Sequence, residues 1–262
     1  HDPVGNLVAI EDRALPVRYF RNQRIEPINR YTYDSLYQLI EATGWEAGTS
    51  NRGPGTLNDP QAGANYRQTY RYDASGNLLS NGKWQNAYFN NQRIAVTGTP
   101  SNPYMARYFY NAAGERIYKK VGTNAVYFVY DTAGHLIGEY NSVGTYQEHL
   151  WLGDTPIANL RQPLLAGGAI QTYYVLADHL DTPKELIDPT LDLATTKGRV
   201  LWRWEGEAFG NSPADEDVDL NGTKLTYNLR FPGQYADTET NRFYNYYRDY
   251  DPALGRYIES DP

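Results

Sequence analysis

The chain has no cysteine and a single methionine. Disulfides and thiolate metal sites are therefore excluded, although the compartment is not settled, since many exported bacterial proteins also lack cysteine. Long apolar runs are missing too. No stretch approaches the roughly 18 consecutive apolar residues of a membrane-spanning helix, and no basic-then-apolar leader is present. Because the first residue is His1 rather than methionine, the missing leader carries little weight. Positive charge is in deficit, with 24 Lys and Arg against 31 Asp and Glu, a net −7. This balance argues against a general nucleic-acid binder and against a surface that seeks anionic lipid. Signatures of common enzyme classes do not occur: there is no H-E-x-x-H, G-x-S-x-G or Walker sequence, and His1, His135, His149 and His179 lack metal-ligand spacing. No cofactor is expected.

Tyrosine is what the chain has in quantity, 25 of them, with 5 Trp and 7 Phe, although only 40% of the 262 residues are hydrophobic. Aromatic rings with polar edges suit a pleated surface wet on one side, so the composition favours β-structure. The length allows one large β domain or two smaller ones.

A seven-residue pattern recurs: Tyr or its equivalent, Asp or Asn, two residues, Gly, one residue, then Leu or Ile. It reads HDPVGNL from His1, YDASGNL from Tyr72, YNAAGER from Tyr110 and YDTAGHL from Tyr130. Weaker copies are YDSLYQL from Tyr33, YNSVGTY from Tyr140 and YDPALGR from Tyr250. An Asp or Asn side chain can bond the backbone two residues on, and Gly supplies positive φ, so each copy reads as a strand, a turn and a strand. A lone hairpin is unstable, so the copies must pair into a larger sheet. Their uneven spacing predicts an irregular antiparallel array with long insertions.

Residues 44–65, rich in Gly, Pro, Asn and Thr, read as a flexible exposed loop, and Asn211 to Gly222 as a second loop. Asp34 to Ala42 is the one segment where helix competes, and the repeat register there favours turn and strand. From Tyr146 onward, alternating aromatic and polar residues broken by Gly-Asp and Asp-Thr-Pro turns predict further strands. In the last stretch, Arg242 to Tyr247 reads as an aromatic strand, Tyr250 to Gly255 as a tight turn, and Arg256 as the start of a returning strand.

Tyr247-Arg248, Tyr250-Asp251-Pro252, Gly255-Arg256-Tyr257 and Asp261-Pro262 resemble the core signature that closes the shell of RHS/YD-repeat proteins. The run from Asp178 to Pro183 resembles the turn placed ahead of that signature, and FRNQRIEPINRYTYDSLYQLIEATG, from Phe20, is similar to the C components of insecticidal Tc toxins. Asp181 and Asn241 depart from the pattern, standing where the family usually has Gly. The resemblance implies an all-β fold, an irregular antiparallel YD-repeat sheet forming part of a β-cocoon shell. It divides the chain into a YD-repeat region, 1–145, and an RHS core-associated β region, 146–262, cut at its C-terminal end.

The resemblance further implies a structural shell segment of a bacterial polymorphic toxin, secreted or at the cell surface. Its partners would be the C-terminal toxin cargo of the same polypeptide and a secretion apparatus or toxin-complex components, with no nucleic acid and no membrane engaged by this segment. In the family a self-cleaving aspartyl protease uses an Arg of the aromatic strand, the Asp of Ser-Asp-Pro and a second Asp downstream. Arg248 and Asp261 match the first two positions; the second Asp would lie beyond Pro262, so this piece is not expected to cut itself. On residue chemistry alone, Arg248 pairing with an acid across a hairpin is the alternative.

Asp217, Asp219 and Asn221 form the start of a calcium-loop pattern, but Asn228 stands where a bidentate Glu is needed, so a solvated acidic loop is favoured over a metal site. Exposed tyrosines also leave open a carbohydrate-binding or adhesin repeat protein. A stand-alone aspartic hydrolase would need a second carboxylate within the chain, and Asp251 is already explained as a turn residue.

Overall fold

The computed structural model describes residues 1–14, 17–20, 23–46, 64–98, 105–141, 146–162, 169–192 and 197–261, and among these every regular element is a β-strand. Two compact units are present, His1–Asn86 with Gly98–Pro103, and Ala87–Thr97 with Tyr104–Pro262.

The first unit carries β1 (Ala9–Glu11), β2 (Arg18–Phe20), β3 (Gln23–Ile25), β4 (Ile28–Tyr33), β5 (Leu39–Glu46), β6 (Ala64–Thr69), β7 (Arg71–Tyr72) and β8 (Leu78–Ser80). One sheet runs β1-β4-β5-β6, while β2 with β3 and β7 with β8 form antiparallel pairs. The segment where helix competed is a turn leading into β5. Most of the loop read at 44–65 falls outside the described residues, as do 142–145 of the repeat from Tyr140.

β9 (Trp84–Phe89) carries the chain from the first unit into the second. There a meander follows: β10 (Gln92–Gly98), β11 (Met105–Tyr110), β12 (Arg116–Val121), β13 (Asn124–Tyr130), β14 (Leu136–Asn141), β15 (Tyr146–Leu152), β16 (Thr155–Gln162), β17 (Gln171–Ala177), β18 (Pro183–Asp192) and β19 (Lys197–Arg203). Each strand pairs antiparallel with the next. The 145/146 division lies between β14 and β15, which are paired neighbours through Tyr140 and Tyr146.

Register sorts the side chains of the meander onto two faces. Arg116, Lys119, Phe128, Glu139, His149, Asn159 and Tyr173 are buried on one. On the other, Phe109, Tyr118, Tyr127, Tyr140 and Tyr146 stand opposite one another across five consecutive strands. Their rings meet edge to face, Phe109 to Tyr118 at 5.5 Å and Tyr118 to Tyr127 at 5.0 Å, the cross-strand contact that stabilises a half-wet sheet.

After β19 the chain crosses the buried face with little regular structure, and the expected loop at 211–222 lies here. Trp202, Trp204 and Tyr227 are fully buried, with Trp202 against Tyr227 at 5.2 Å and Trp204 against Phe231 at 5.1 Å. The Trp204 indole N–H donates to the Ser212 carbonyl at 2.9 Å, so its burial leaves no orphan donor. A small antiparallel sheet follows, β20 (Tyr235–Asp237), β21 (Arg242–Asn245), β22 (Arg248–Asp251) and β23 (Arg256–Tyr257), in that order. The aromatic segment read as a strand, Arg242 to Tyr247, is strand only as far as Asn245 and then turns, and Tyr250 and Asp251, read as the start of a turn, belong to β22. Tyr246 takes φ 59, reversing the chain so that Asn245 pairs with Arg248.

Among the described residues the repeat pattern folds as one turn used six times, at Asp2, Asp34, Asp73, Asn111, Asp131 and Asp178. In each, Oδ1 accepts the backbone N–H two and four residues on, at 2.8 to 3.1 Å. The third residue on carries positive φ: Gly at four turns, Tyr37 (63°) and Asp181 (62°) at the others. The Asp178 turn, seen in sequence only through resemblance, is therefore a further copy.

Candidate functional site

Arg248 and Asp261 are brought together. The backbone N–H of Ile258 donates to the Asp249 carbonyl at 3.0 Å, continuing the pairing of β22 with β23 past Tyr257, and beyond a bend at 258–259 Asp261 reaches Arg248. Arg248 Nη1 donates to Asp261 Oδ1, and its guanidinium lies 3.8 Å from the centre of the Tyr257 ring. Ring and carboxylate together fix the guanidinium plane. The Asp261 side chain is 84% exposed. The other β22 carboxylates are engaged: Asp251 with Arg242 at 3.4 Å and Asp249 with Arg93.

Behind this surface pair lies a cluster that sequence reasoning missed. Arg93 of β10 holds Asp249 with two donors, one at 3.0 Å, and reaches Asp237 at 3.3 Å. Arg116 of β12 grips Asp237 at 2.7 and 3.0 Å, and Lys119 bridges Asp237 and Glu239 at 3.0 and 3.1 Å. The Arg116 guanidinium also lies 4.1 Å from the Tyr244 ring centre and 5.1 Å from that of Tyr108. Burial alone would raise the Asp237 carboxyl, but Arg116 and Lys119 outweigh it and hold the group well below the usual carboxylate range. Glu259 shows the reverse. Burial first, then the charge of Asp249, push it up to about 9.

The only sequence signal for this cluster was the position of Asp237 and Asp249 inside the aromatic C-terminal run. Their partners Arg116 and Arg93 lie 121 and 156 residues away, and nothing in the sequence pairs them.

On the same buried face a cavity of about 700 Å³ is lined by Glu139, Gln147, Arg161, Gln171, Tyr173 and Tyr235 among others. Glu139 is held by His149 at 3.0 Å and by the Tyr235 hydroxyl at 2.7 Å. Burial opposes ionisation of Glu139, yet these hydrogen bonds lower it below its ordinary value.

The calcium-pattern residues make local contacts. Asp217 accepts the Gly222 N–H at 3.2 Å, Asn221 donates to Asp219 at 2.8 Å, and Arg199 faces Asp219 at 3.3 Å. Among the described residues no group of three or more His, Asp or Glu side chains converges as metal ligands.

No family model matches the chain. The toxin subunit YenC2 of Yersinia entomophaga is 41% identical over 105 residues, covering 37% of this chain and 11% of that subunit. The double-stranded DNA deaminase toxin A of Burkholderia cenocepacia is 25% identical across all of this chain and 19% of its own length. The chain therefore spans a small part of these relatives. A crystal structure of TcdB2-TccC3-Cdc42 matches with a TM-score of 0.50 and 21% identity, over the whole of this chain and 15% of that one, which shows a shared fold. With its antiparallel sheets and repeated Asp/Asn turns, the chain is an all-β protein that resembles RHS-related toxins and the C components of Tc toxins in sequence and fold.

Proposed function

We propose that the chain is a wall segment of an RHS-type toxin shell. The shell would enclose a C-terminal toxin carried by the same polypeptide, with residues 1–145 in its YD-repeat part and 146–262 in the core-associated part. Arg248 and Asp261 would form part of a self-cleaving aspartyl protease. Arg248 orients Asp261, and a second carboxylate approaching Asp261 would complete a pair able to share a proton and act on a peptide bond. Secretion or cell-surface delivery, and partners from a toxin complex or secretion apparatus, belong to the same reading.

The observation that carries it is the Arg248–Asp261 contact at the end of the C-terminal sheet, with the Asp261 side chain 84% exposed. For the sugar-binding alternative, rings crossing at 69° and 61° make a poor stacking platform.

Intact-mass measurement of the full native polypeptide, as wild type and as Asp261→Asn, tests the proposal. Two fragments from the wild type and one chain from the variant are expected. A wild type that stays whole, or a variant that still divides, removes the protease assignment.

A further inference from the structure

Three buried cations, Arg93, Arg116 and Lys119, meet three carboxylates, Asp237, Glu239 and Asp249. Charge in the cluster is balanced before Glu259 is counted. Glu259 is 5% exposed, and its Oε2 accepts the backbone N–H of Asp249 at 2.6 Å. Its Oε1 is buried with no hydrogen-bond partner among the described residues. A fourth negative charge here, beside Asp249 and out of water, would be strongly disfavoured, so the group keeps its proton.

Among the described residues, the surrounding elements bring one cation to Glu259, Arg93, and it is already engaged. β22 brings Asp249 itself, β10 brings Arg93, already shared between Asp249 and Asp237, and β9 brings Tyr88. Tyr108 and Tyr110 of β11 lie around Arg93 and Asp249, and Arg242 of β21 faces Asp251. The tyrosines are themselves pushed upward by burial and stay neutral where Glu259 titrates.

We propose that Glu259, in its uncharged form, is a positioning residue: by holding the Asp249 amide it keeps residues 256–261 in register on β22 and so sets Asp261 against Arg248. The geometry is direct. Asp249 follows Arg248 in the chain, and Glu259 stands two residues before Asp261. The Ile258 amide bonds the Asp249 carbonyl at 3.0 Å while the Glu259 side chain accepts from the Asp249 amide, so Asp249 is tied through both its carbonyl and its amide to successive residues of the returning segment. Loss of the proton strengthens the bond to the amide itself but sets a buried charge against the Asp249 carboxylate, and that repulsion drives the two strands apart. Glu259 is protonated in the folded chain below about pH 9 and ionised above it, so the tie holds at neutral pH and fails as pH rises through that value.

The functional readout rests on the self-cleavage reading. In the full native polypeptide, cleavage is followed by intact mass from about pH 7 to about pH 10 for wild type, Glu259→Gln, Glu259→Ala and Asp261→Asn. Gln keeps both an acceptor for the Asp249 amide and a neutral charge. Glu259→Gln should match wild type at neutral pH and exceed it by roughly ten-fold one unit above the transition, while Glu259→Ala should be slower throughout. Parallel profiles for wild type and Glu259→Gln, or full-speed Glu259→Ala, overturn the positioning role.

A wild type that never cleaves removes the protease reading instead. The carboxyl-carbon NMR signal of Glu259, assigned by its loss in Glu259→Gln, then decides separately. A signal titrating in the ordinary Glu range means that Glu259 is not held neutral, and the inference falls.

Discussion

The Arg116 guanidinium and the Asp237 carboxylate, 121 residues apart in sequence, meet in a two-point contact of 2.7 and 3.0 Å where neither side chain reaches water. Lys119 leans on the same carboxylate and Arg93 reaches it at 3.3 Å, so three cations depend on one acid. Replacing Asp237 by Asn keeps the shape and removes the charge. Breaking a buried pair from one side costs about 3–5 kcal/mol, because the partner charge is left uncompensated. Asp237→Asn should lower stability toward denaturant by that order; a change under about 1 kcal/mol would show that the cluster does not hold the C-terminal sheet.

At the repeat turns one side-chain oxygen serves two backbone amides, as Asp131 does for Ala133 and His135, both at 2.9 Å. Asp131→Ala should lower stability, because both amides lose their acceptor. Asn111 makes the same two bonds at 3.0 and 2.9 Å, so Asn111→Asp should be tolerated within about 0.5 kcal/mol. Equilibrium unfolding of both variants checks the contrast.

Gly114 and Gly134 hold the same place in successive turns, with φ 84 and 89. A Cβ at Gly134 would meet only a Tyr246 ring carbon at 3.7 Å, whereas at Gly114 it would fall 2.5 Å from the Tyr247 ring. Gly134→Ala should therefore cost about 1 kcal/mol for backbone strain, and Gly114→Ala about 1–3 kcal/mol more for the clash. Equal losses would mean that Tyr247 moves aside freely.

His135 lies between two carboxylates, with Nδ1 2.9 Å from Asp131 and Nε2 3.0 Å from Asp154, and its ring stacks on Trp151 at 4.7 Å. Burial would lower its pKa, but the two acids outweigh burial and raise it above the usual imidazole value. The imidazolium should contribute fully below the unfolded value of about 6.5, and the contribution should fade as pH rises through the raised folded value. An NMR titration should place His135 above that reference and show Asp154→Asn moving it down. A midpoint at or below the reference contradicts the arrangement.

The hairpins were legible because their cause is local. Asp at one position and positive φ three residues on decide the turn, whichever strand follows, and the resemblance of the last thirty-two residues, 231–262, identified the β class. Arg248 and Asp261 were singled out only through the family resemblance; their pairing is local, since they lie thirteen residues apart on one doubled-back segment. Arg93, Arg116, Lys119 and Glu259 read as ordinary strand charges, because burial depends on which strand lies across the sheet. The break at Tyr246 was hidden because a tyrosine with positive φ has no sequence sign; Asn241, at φ 59, is the kind of residue that does.

The double contact between Arg116 and Asp237 also sets a timetable. During synthesis at about 5–20 residues per second, the 121 residues between them take roughly 6–24 seconds to emerge. Hairpins form within about 1–10 microseconds, so the meander can pair strand by strand as it appears. Its charged face must meanwhile wait in water, with Arg93, Arg116 and Lys119 hydrated and Trp202 without its Tyr227 cover. Only when the C-terminal sheet arrives does that face close. A ribosome paused between residues 203 and 235 would hold a chain with complete strands and an open core, the state in which it is most exposed to chaperones and to pairing with its neighbours.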